Sequence, residues 1–443
     1  MKKNKFITLG FAATALTGAL AFTPSLFAKE TTTSSSEVSV QQSRLQSLAK
    51  FTKVLGLVEK YNVDPVTIEE LMDKALSGML SNLDAHSSFL NAKHFESMKI
   101  QTDGEFGGLG ITVGIKDGAL TVIAPIEGTP ADKAGLKSGD IILKINDKST
   151  LSMTIDEAVS IMRGKKGTPI NLTIVRKKEP KPLSIDIIRD TIKIQSVYAK
   201  SIGDNILYLR VTSFDKKVVA GVKKELEKAS NKNKGIILDL RNNPGGLLDQ
   251  AVGLVDLFVE EGAIVSQKGR DKSEDKVYSA SSSGTFSKQA LVVLVNEGSA
   301  SASEIVSGAL QDHKRAVIIG QNTFGKGSVQ VILPITETEA VKLTIARYYL
   351  PSGRTIQAVG VKPDIEVEYG EIKTYENDYL IKEADLKKHL EGELEKVDGK
   401  PVKKEEEKKK DKNIITKQDL NKDIQLKEAV DITKALMIIK GND

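Results

Sequence analysis

LVVLVNEGSASASEIVSGALQDHKRAVIIGQNTFGKGSVQ, residues 291–330, is the stretch from which the architecture of this chain can be read. Residues 291–295 form an apolar, β-branched run that reads as a buried strand. Asn296, Glu297 and Gly298 make a tight polar turn. Ser299, Ser301 and Ser303 then alternate with alanines, and an amphipathic helix is expected from about residue 304 to residue 312. A strand that feeds through small residues into a helix can hold a serine hydroxyl at the helix N-terminus. The unpaired N–H groups and the macrodipole there favour a developing negative charge. Serines also cap helices without doing any chemistry, and the turn taken alone reads that way.

A nucleophilic serine needs a base. On the same helix His313 would lie about 18 Å from Ser301, at 1.5 Å rise per residue. Lys314 fails for the same reason. The other histidines, His86, His94 and His389, lie in no motif that presents them. Lys326 remains, between Gly325 and Gly327. Flanking glycines allow close backbone approach, and a lysine in a dry site loses its proton more readily and can act as a general base. Gln330 lies four residues on, one turn away if this piece is helical, where its amide would hold the lysine. The alternative is a surface lysine in a glycine-rich loop.

Three motifs together, SASASEI, TFGKGSVQ and DLRNNPGG (residues 239–246), resemble the carboxyl-terminal processing or tail-specific proteases. The resemblance implies a Ser/Lys dyad with Ser301 as nucleophile, Lys326 as base and Gln330 in support. It also implies a core akin to the ClpP/crotonase fold. A glycine turn at the end of a buried strand can present a backbone N–H across the site. With the N–H of Ala302 it would form an oxyanion hole. The resemblance places one donor in this loop, at Gly245 or Gly246. Arg241 is expected to order the loop.

Residues 104–190 read as short strands with two helices, 130–136 and 155–163. TPADKAGLKSGDIILKIND resembles a PDZ domain, and GGLGI (residues 107–111) its carboxylate-binding loop. Amides around Leu109, Gly110 and Ile111 can cradle a peptide's terminal carboxylate while the next strand pairs with the peptide. Arg163 resembles an arginine that couples such a module to the active site in some relatives. Its other reading is a solvated helix end beside Lys165 and Lys166.

The 443 residues allow about three domains. The chain lacks cysteine, which excludes disulfides, zinc–thiolate sites and a cysteine nucleophile. The formal net charge of +5 includes Lys2, Lys3 and Lys5, so nothing argues for nucleic acid. These lysines precede an apolar run over residues 6–22, followed by Pro24, Ser25 and Ala28: the layout of a signal peptide over residues 1–28, cleaved after Ala28 or Ala21. An uncleaved membrane anchor is the alternative. Export to the periplasm or cell envelope is expected in either case.

Residues 37–97 read as a helical region, with Leu45, Leu48, Phe51, Val54, Leu55 and Val58 at helical spacing and a second helix over residues 68–80. LDAHSSFL (residues 83–90) resembles the family's LDPHSSYL signature, with Ala85 in place of proline. His86 is expected to make a structural hydrogen bond in that turn. Residues 391–412 are a Lys/Glu-rich linker. Residues 414–443 end in a helix with an apolar stripe at Leu426, Val430, Ile432, Leu436 and Ile439. Dimeric relatives suggest that this stripe pairs with the N-terminal helices of a second subunit.

The expectation is thus a multidomain α/β protein: a PDZ module beside a protease core over residues 196–370, with helical dimerisation segments at both ends. Substrates would be exported proteins or peptides entered from their C-terminal tails. A homodimer and a regulatory protein are the other partners considered, and no metal or nucleotide cofactor is implied. A catalytically silent PDZ scaffold and acyl-CoA chemistry on a crotonase-like core are the competing readings. The intact Ser/Lys/Gln set argues against both, and the PDZ module against the second.

Overall fold

A computed structural model describes residues 35–203, 205–229, 233–281, 286, 288–372 and 413–441. The expected signal segment and the Lys/Glu-rich linker lie outside the described residues. The chain divides into two compact units between Lys74 and Ala75. In the first, Ser35–Tyr61 is one helix. Its apolar stripe faces solvent, with Leu45 67% and Leu48 62% exposed.

The second unit is built on a six-stranded sheet in the order Val197–Ile202, Ile206–Val211, Gly235–Asp239, Ala290–Val295, Val317–Gly320, Ile365–Glu366. The first pair is antiparallel and the rest are parallel. Side chains alternate across a strand. Leu207, Leu209, Ile236, Leu238, Leu291 and Val293 share a core with the helices Val218–Ala229, Leu248–Asp256 and Ala302–Asp312. Ile206, Tyr208, Ile237, Val292, Leu294 and Ile319 fill the other core. Burial on both faces explains why 291–295 is continuously apolar.

Ala302–Asp312 begins two residues earlier than expected, and it is buried all round from Ala302 to Leu310 instead of amphipathic. Its small residues permit this. A Cβ on Gly308 would lie 2.5 Å from the Leu350 side chain.

The second face is covered by Ile424–Ile439, whose Leu426, Ala429, Val430 and Met437 are buried against it. The C-terminal stripe therefore packs on its own chain, which corrects the expectation of a partner subunit there. Burial of this side removes apolar area from water without a second subunit.

A five-stranded sheet carries Ser328–Pro334 paired antiparallel with Ala340–Tyr349. Gln330 thus lies on a strand, and the one-turn spacing from Lys326 does not apply. The apolar and polar residues of that piece alternate once a hairpin partner is present. Ser88–Leu90 joins the same sheet against residues 340–342, so the expected helical region is not helical throughout. The PDZ module is a separate six-stranded sheet with its own core, including Val122, Ile145, Leu172 and Ile174. Glu105–Gly108 and Asp190–Lys193 pair as the two-stranded stem through which the chain enters and leaves it.

Leu426→Ala should destabilise the protein by about 2–5 kcal/mol in urea unfolding. Ile439→Ala, at a side chain 80% exposed, should change stability by less than about 0.5 kcal/mol. Equal effects would contradict the packing of this helix on its own sheet.

Candidate active site

The three serines of the turn have different surroundings. Ser299 is fully buried, and its hydroxyl donates to the Leu240 carbonyl at 2.8 Å and accepts from the Asn296 amide at 3.0 Å. Ser303 is fully buried and donates to the Asn243 carbonyl at 2.9 Å. Both hydroxyls pin the turn to residues 239–246. Ser301 is half-buried and holds φ +55°, ψ −109°, a conformation that costs a non-glycine residue about 1–3 kcal/mol and persists only when its surroundings fix it.

Glu304 fixes it. This fully buried carboxylate accepts from the Ser301 amide at 2.8 Å, the Lys326 amide at 2.8 Å, the Gly325 amide at 2.6 Å and the Thr323 hydroxyl at 2.6 Å. One side chain therefore joins the serine turn to the lysine loop. Sequence reasoning missed this role, although the S-x-x-E spacing of a capping box was legible in SASASE.

Lys326 is half-buried. Burial, and then the nearby Lys342 ammonium, push its pKa below the ordinary lysine value of 10.5, against the opposing pull of Glu304. The flanking glycines are required by packing. A Cβ on Gly327 would lie 2.7 Å from the Gln357 amide, and Gly325 adopts φ +93°.

Among the described residues no hydrogen bond joins Ser301 Oγ to Lys326 Nζ, or Lys326 to Gln330. The Gln330 amide donates instead to Ser328 Oγ at 2.9 Å and Thr344 Oγ1 at 3.3 Å. Thr344 in turn donates to Asp84 at 3.1 Å. Asp84 also accepts from the His86 and Ser87 amides and the Ser87 hydroxyl. The Ser87 hydroxyl bond, then the backbone and Thr344 bonds, hold its carboxyl down to about 2 against burial. The LDAHSSFL turn is thereby tied to the strand beside the base. Burial first, and then the Lys326 charge, push the His86 imidazole below its ordinary value.

The glycine turn lies against the serine. A Cβ on Gly245 would lie 2.7 Å from the Ala300 carbonyl and 3.0 Å from the Ala302 nitrogen. The Gly245 amide donates to Asn243 Oδ1 at 2.9 Å. The Gly246 and Ala302 amides have no acceptor among the described residues. Arg241 is buried and ion-paired with Asp239 and Asp423.

Leu109, Gly110, Ile111 and Arg163 come together in a groove of about 260 Å³ on the PDZ module, with Ile155, Val159 and Met162 as apolar walls. The Leu109 and Gly110 carbonyls are occupied by the Ala131 and Ile126 amides. Their own amides donate to no described residue. Gly110 has φ +79°, and a Cβ there would lie 2.4 Å from Thr129. Arg163 stacks over Phe106 at 5.1 Å, and its Nε is buried with no hydrogen-bond partner among the described residues. Among the described residues no group of three or more His, Asp or Glu side chains could hold a metal ion, and no helix is long and apolar enough to cross a membrane.

The Peptidase family S41 profile matches residues 205–367, and the PDZ domain profile matches residues 121–176. The chain is 44% identical over 365 residues to a carboxy-terminal-processing protease of Bartonella bacilliformis, covering 81% of this chain and 84% of that protein. It is 34% identical over 361 residues to the carboxy-terminal processing protease CtpA of Bacillus subtilis, covering 80% and 77%. Among solved structures, the photosystem II D1 C-terminal processing protease superposes with a TM-score of 0.41 at 27% identity, over 72% of this chain and 92% of that one.

Glu304→Gln turns one acceptor into a donor facing buried N–H groups. It should cost about 2–4 kcal/mol in urea unfolding. The Gly325 and Lys326 amides should lose hydrogen-exchange protection first. Unchanged protection at both would show that the carboxylate does not hold the loop.

Proposed function

Because the chain belongs to the carboxy-terminal processing proteases of Peptidase family S41, we propose that Ser301 is the nucleophile and Lys326 the general base of its site. The protein is a serine-type peptidase with a PDZ domain that binds peptide C-terminal tails. Ser301 Oγ attacks the scissile carbonyl as neutral Lys326 takes its proton. The tetrahedral oxyanion is received by the amides of Ala302 and Gly246. Gly246 is preferred over Gly245 because Asn243 already holds the Gly245 amide. Lys326 then returns the proton to the leaving amine, and water hydrolyses the acyl-serine. Gln330 would orient Lys326 after leaving Ser328 and Thr344.

The observation that carries this reading is the separation of the serines. Ser299 and Ser303 use their hydroxyls on the loop. Strained Ser301 lies at the helix N-terminus, one carboxylate away from the loop of a desolvated lysine.

The PDZ groove takes the substrate's tail, with its terminal carboxylate on the Leu109 and Gly110 amides and its last side chain against Ile155, Val159 and Met162. Arg163 relays occupancy to the core. A second copy of the chain covers the exposed stripe of Ser35–Tyr61. Residues 1–28 direct export to the periplasm or envelope, as a cleaved leader or as an anchor.

Ser301→Ala and Lys326→Ala should each abolish cleavage of a tail peptide, and the double variant should be no worse than either single one, because groups acting as a unit are not additive. Cleavage by wild type should rise with pH as Lys326 deprotonates, with a midpoint below 10.5. The Lys342 ammonium disfavours a second charge, so Lys342→Gln should raise the Lys326 pKa and move the midpoint to higher pH. A midpoint that stays put, or full activity in Ser301→Ala with Ser299 or Ser303 essential, would refute these assignments.

Amidating the peptide's C-terminus removes a charge-assisted hydrogen-bond acceptor. Binding should weaken by about 1.5–3 kcal/mol, roughly ten- to a hundredfold. Equal affinity for the acid and amide forms, by calorimetry, would mean that the groove does not read the carboxylate.

A further inference from the structure

The final helix does more than cover a sheet. Its cap, Asp423, reaches the loop that carries Gly245 and Gly246, from 182 residues away in sequence. Arg241 Nη1 donates to Asp423 Oδ1 at 2.9 Å, and Nη2 to Oδ2 at 2.8 Å, a bidentate pair. Nη1 also donates to Gln425 Oε1 at 3.0 Å. On its inner side the guanidinium meets Asp239, with Nε to Oδ1 at 3.0 Å and Nη2 to Oδ2 at 2.6 Å. Asp239 is fully buried and also accepts from the Tyr208 hydroxyl at 2.8 Å. The charged head of a buried arginine is thus gripped between the end of a core strand and the N-cap of the last helix.

The glycine loop begins directly after Arg241. Asn242 holds φ +56°. Its amide donates to Asn296 Oδ1 at 2.8 Å, beside the serine turn. Gly245 abuts Ser301. A guanidinium that loses its outer carboxylate keeps only Asp239 and Gln425 to fix its outer edge, and the backbone five residues on, at Gly246, is the oxyanion side of the site. Burial pushes the Asp423 carboxyl up, but the Arg241 hydrogen bonds pull it below its ordinary value, so it is ionised near neutral pH.

We propose that Asp423 is a positioning residue for the peptidase reaction: through Arg241 it sets the oxyanion loop, which makes the C-terminal helix a working part of the active site. The proposal rests on the reading that this loop supplies an oxyanion donor. A purely structural Asp423 would only cap the helix, accepting from the Leu426 amide at 3.0 Å. Asparagine and serine cap equally well without charge, so substitution separates the two roles.

The test compares Asp423→Asn, Asp423→Ser and Asp423→Glu with wild type. Asp431→Asn, on the solvent side of the same helix, serves as control. All are measured below their melting temperatures for peptide cleavage and for Ser301 labelling by a fluorophosphonate, which develops an oxyanion of its own. The Asn and Ser variants should lose at least tenfold in kcat and in labelling rate, with KM within twofold of wild type. Glu should restore most of the loss, and Asp431→Asn should behave as wild type. Wild-type kcat in both uncharged variants, or a loss confined to KM, would overturn the proposal while Ser301→Ala remained inactive. Activity in Ser301→Ala would overturn the underlying site reading instead.

Discussion

The structure around the site depends on one buried carboxylate. Glu304 is taken wholly out of water, which is costly for a charge unless its oxygens are satisfied. Four donors satisfy it, and they come from two separate segments: the Ser301 turn, and the loop of Thr323, Gly325 and Lys326. Neither segment alone supplies enough partners, so each requires the other to be in place. The same group holds Ser301 in a conformation the chain would not otherwise keep. Its charge also opposes the burial and the Lys342 ammonium that push Lys326 toward neutrality. The proposed base is therefore held close to a negative charge and still loses its proton more easily than a free lysine.

This clamp rests on a layered scaffold. Strand Ala290–Val295 is covered on both faces, so the turn that leaves it has a fixed start. Helix Ala302–Asp312 is buried around its circumference, so the turn has a fixed end. The neighbouring strand Gly235–Asp239 runs parallel to Ala290–Val295, which brings residues 239–246 out at the same edge. Hydroxyls of Ser299 and Ser303 and the side chain of Asn296 then stitch the two turns together. The PDZ module has its own core and a two-stranded stem, an arrangement suited to tail binding beside an independent catalytic sheet.

Much of this was legible in the sequence because the local signals were strong. The apolar run at 291–295, the buried strand ahead of the glycine turn and the short strands within residues 104–190 are bounded by turns and agree with the structure. Leu109, Gly110, Ile111 and Arg163 do share a groove. The readings that failed depended on distant partners. FGKGSVQ carries no helical period, and only its pairing with residues 340–349 makes it a strand, so the helical spacing assumed for Gln330 had no support. An apolar stripe at the C-terminus shows that a face will be covered, but not by what, and the chain's own sheet covers it. The three serines of SASAS are chemically alike in one dimension. Only the packing of residues 239–246 against them separates two structural hydroxyls from the third. The second half of the Glu304 clamp lies about twenty residues beyond the capping box, too far for any local pattern to show.

The central claim, that Ser301 forms the covalent bond with Lys326 as its base, is tested most directly by trapping the intermediate. A reactive ester of a tail peptide is mixed with the enzyme, quenched in acid within the first turnover and mapped by peptide mass spectrometry. The acyl group is expected on Ser301, accumulating faster as pH rises, and absent when Lys326 is replaced by methionine. An acyl group on Ser299 or Ser303, or one that forms on Ser301 at the wild-type rate in Lys326→Met, would contradict it.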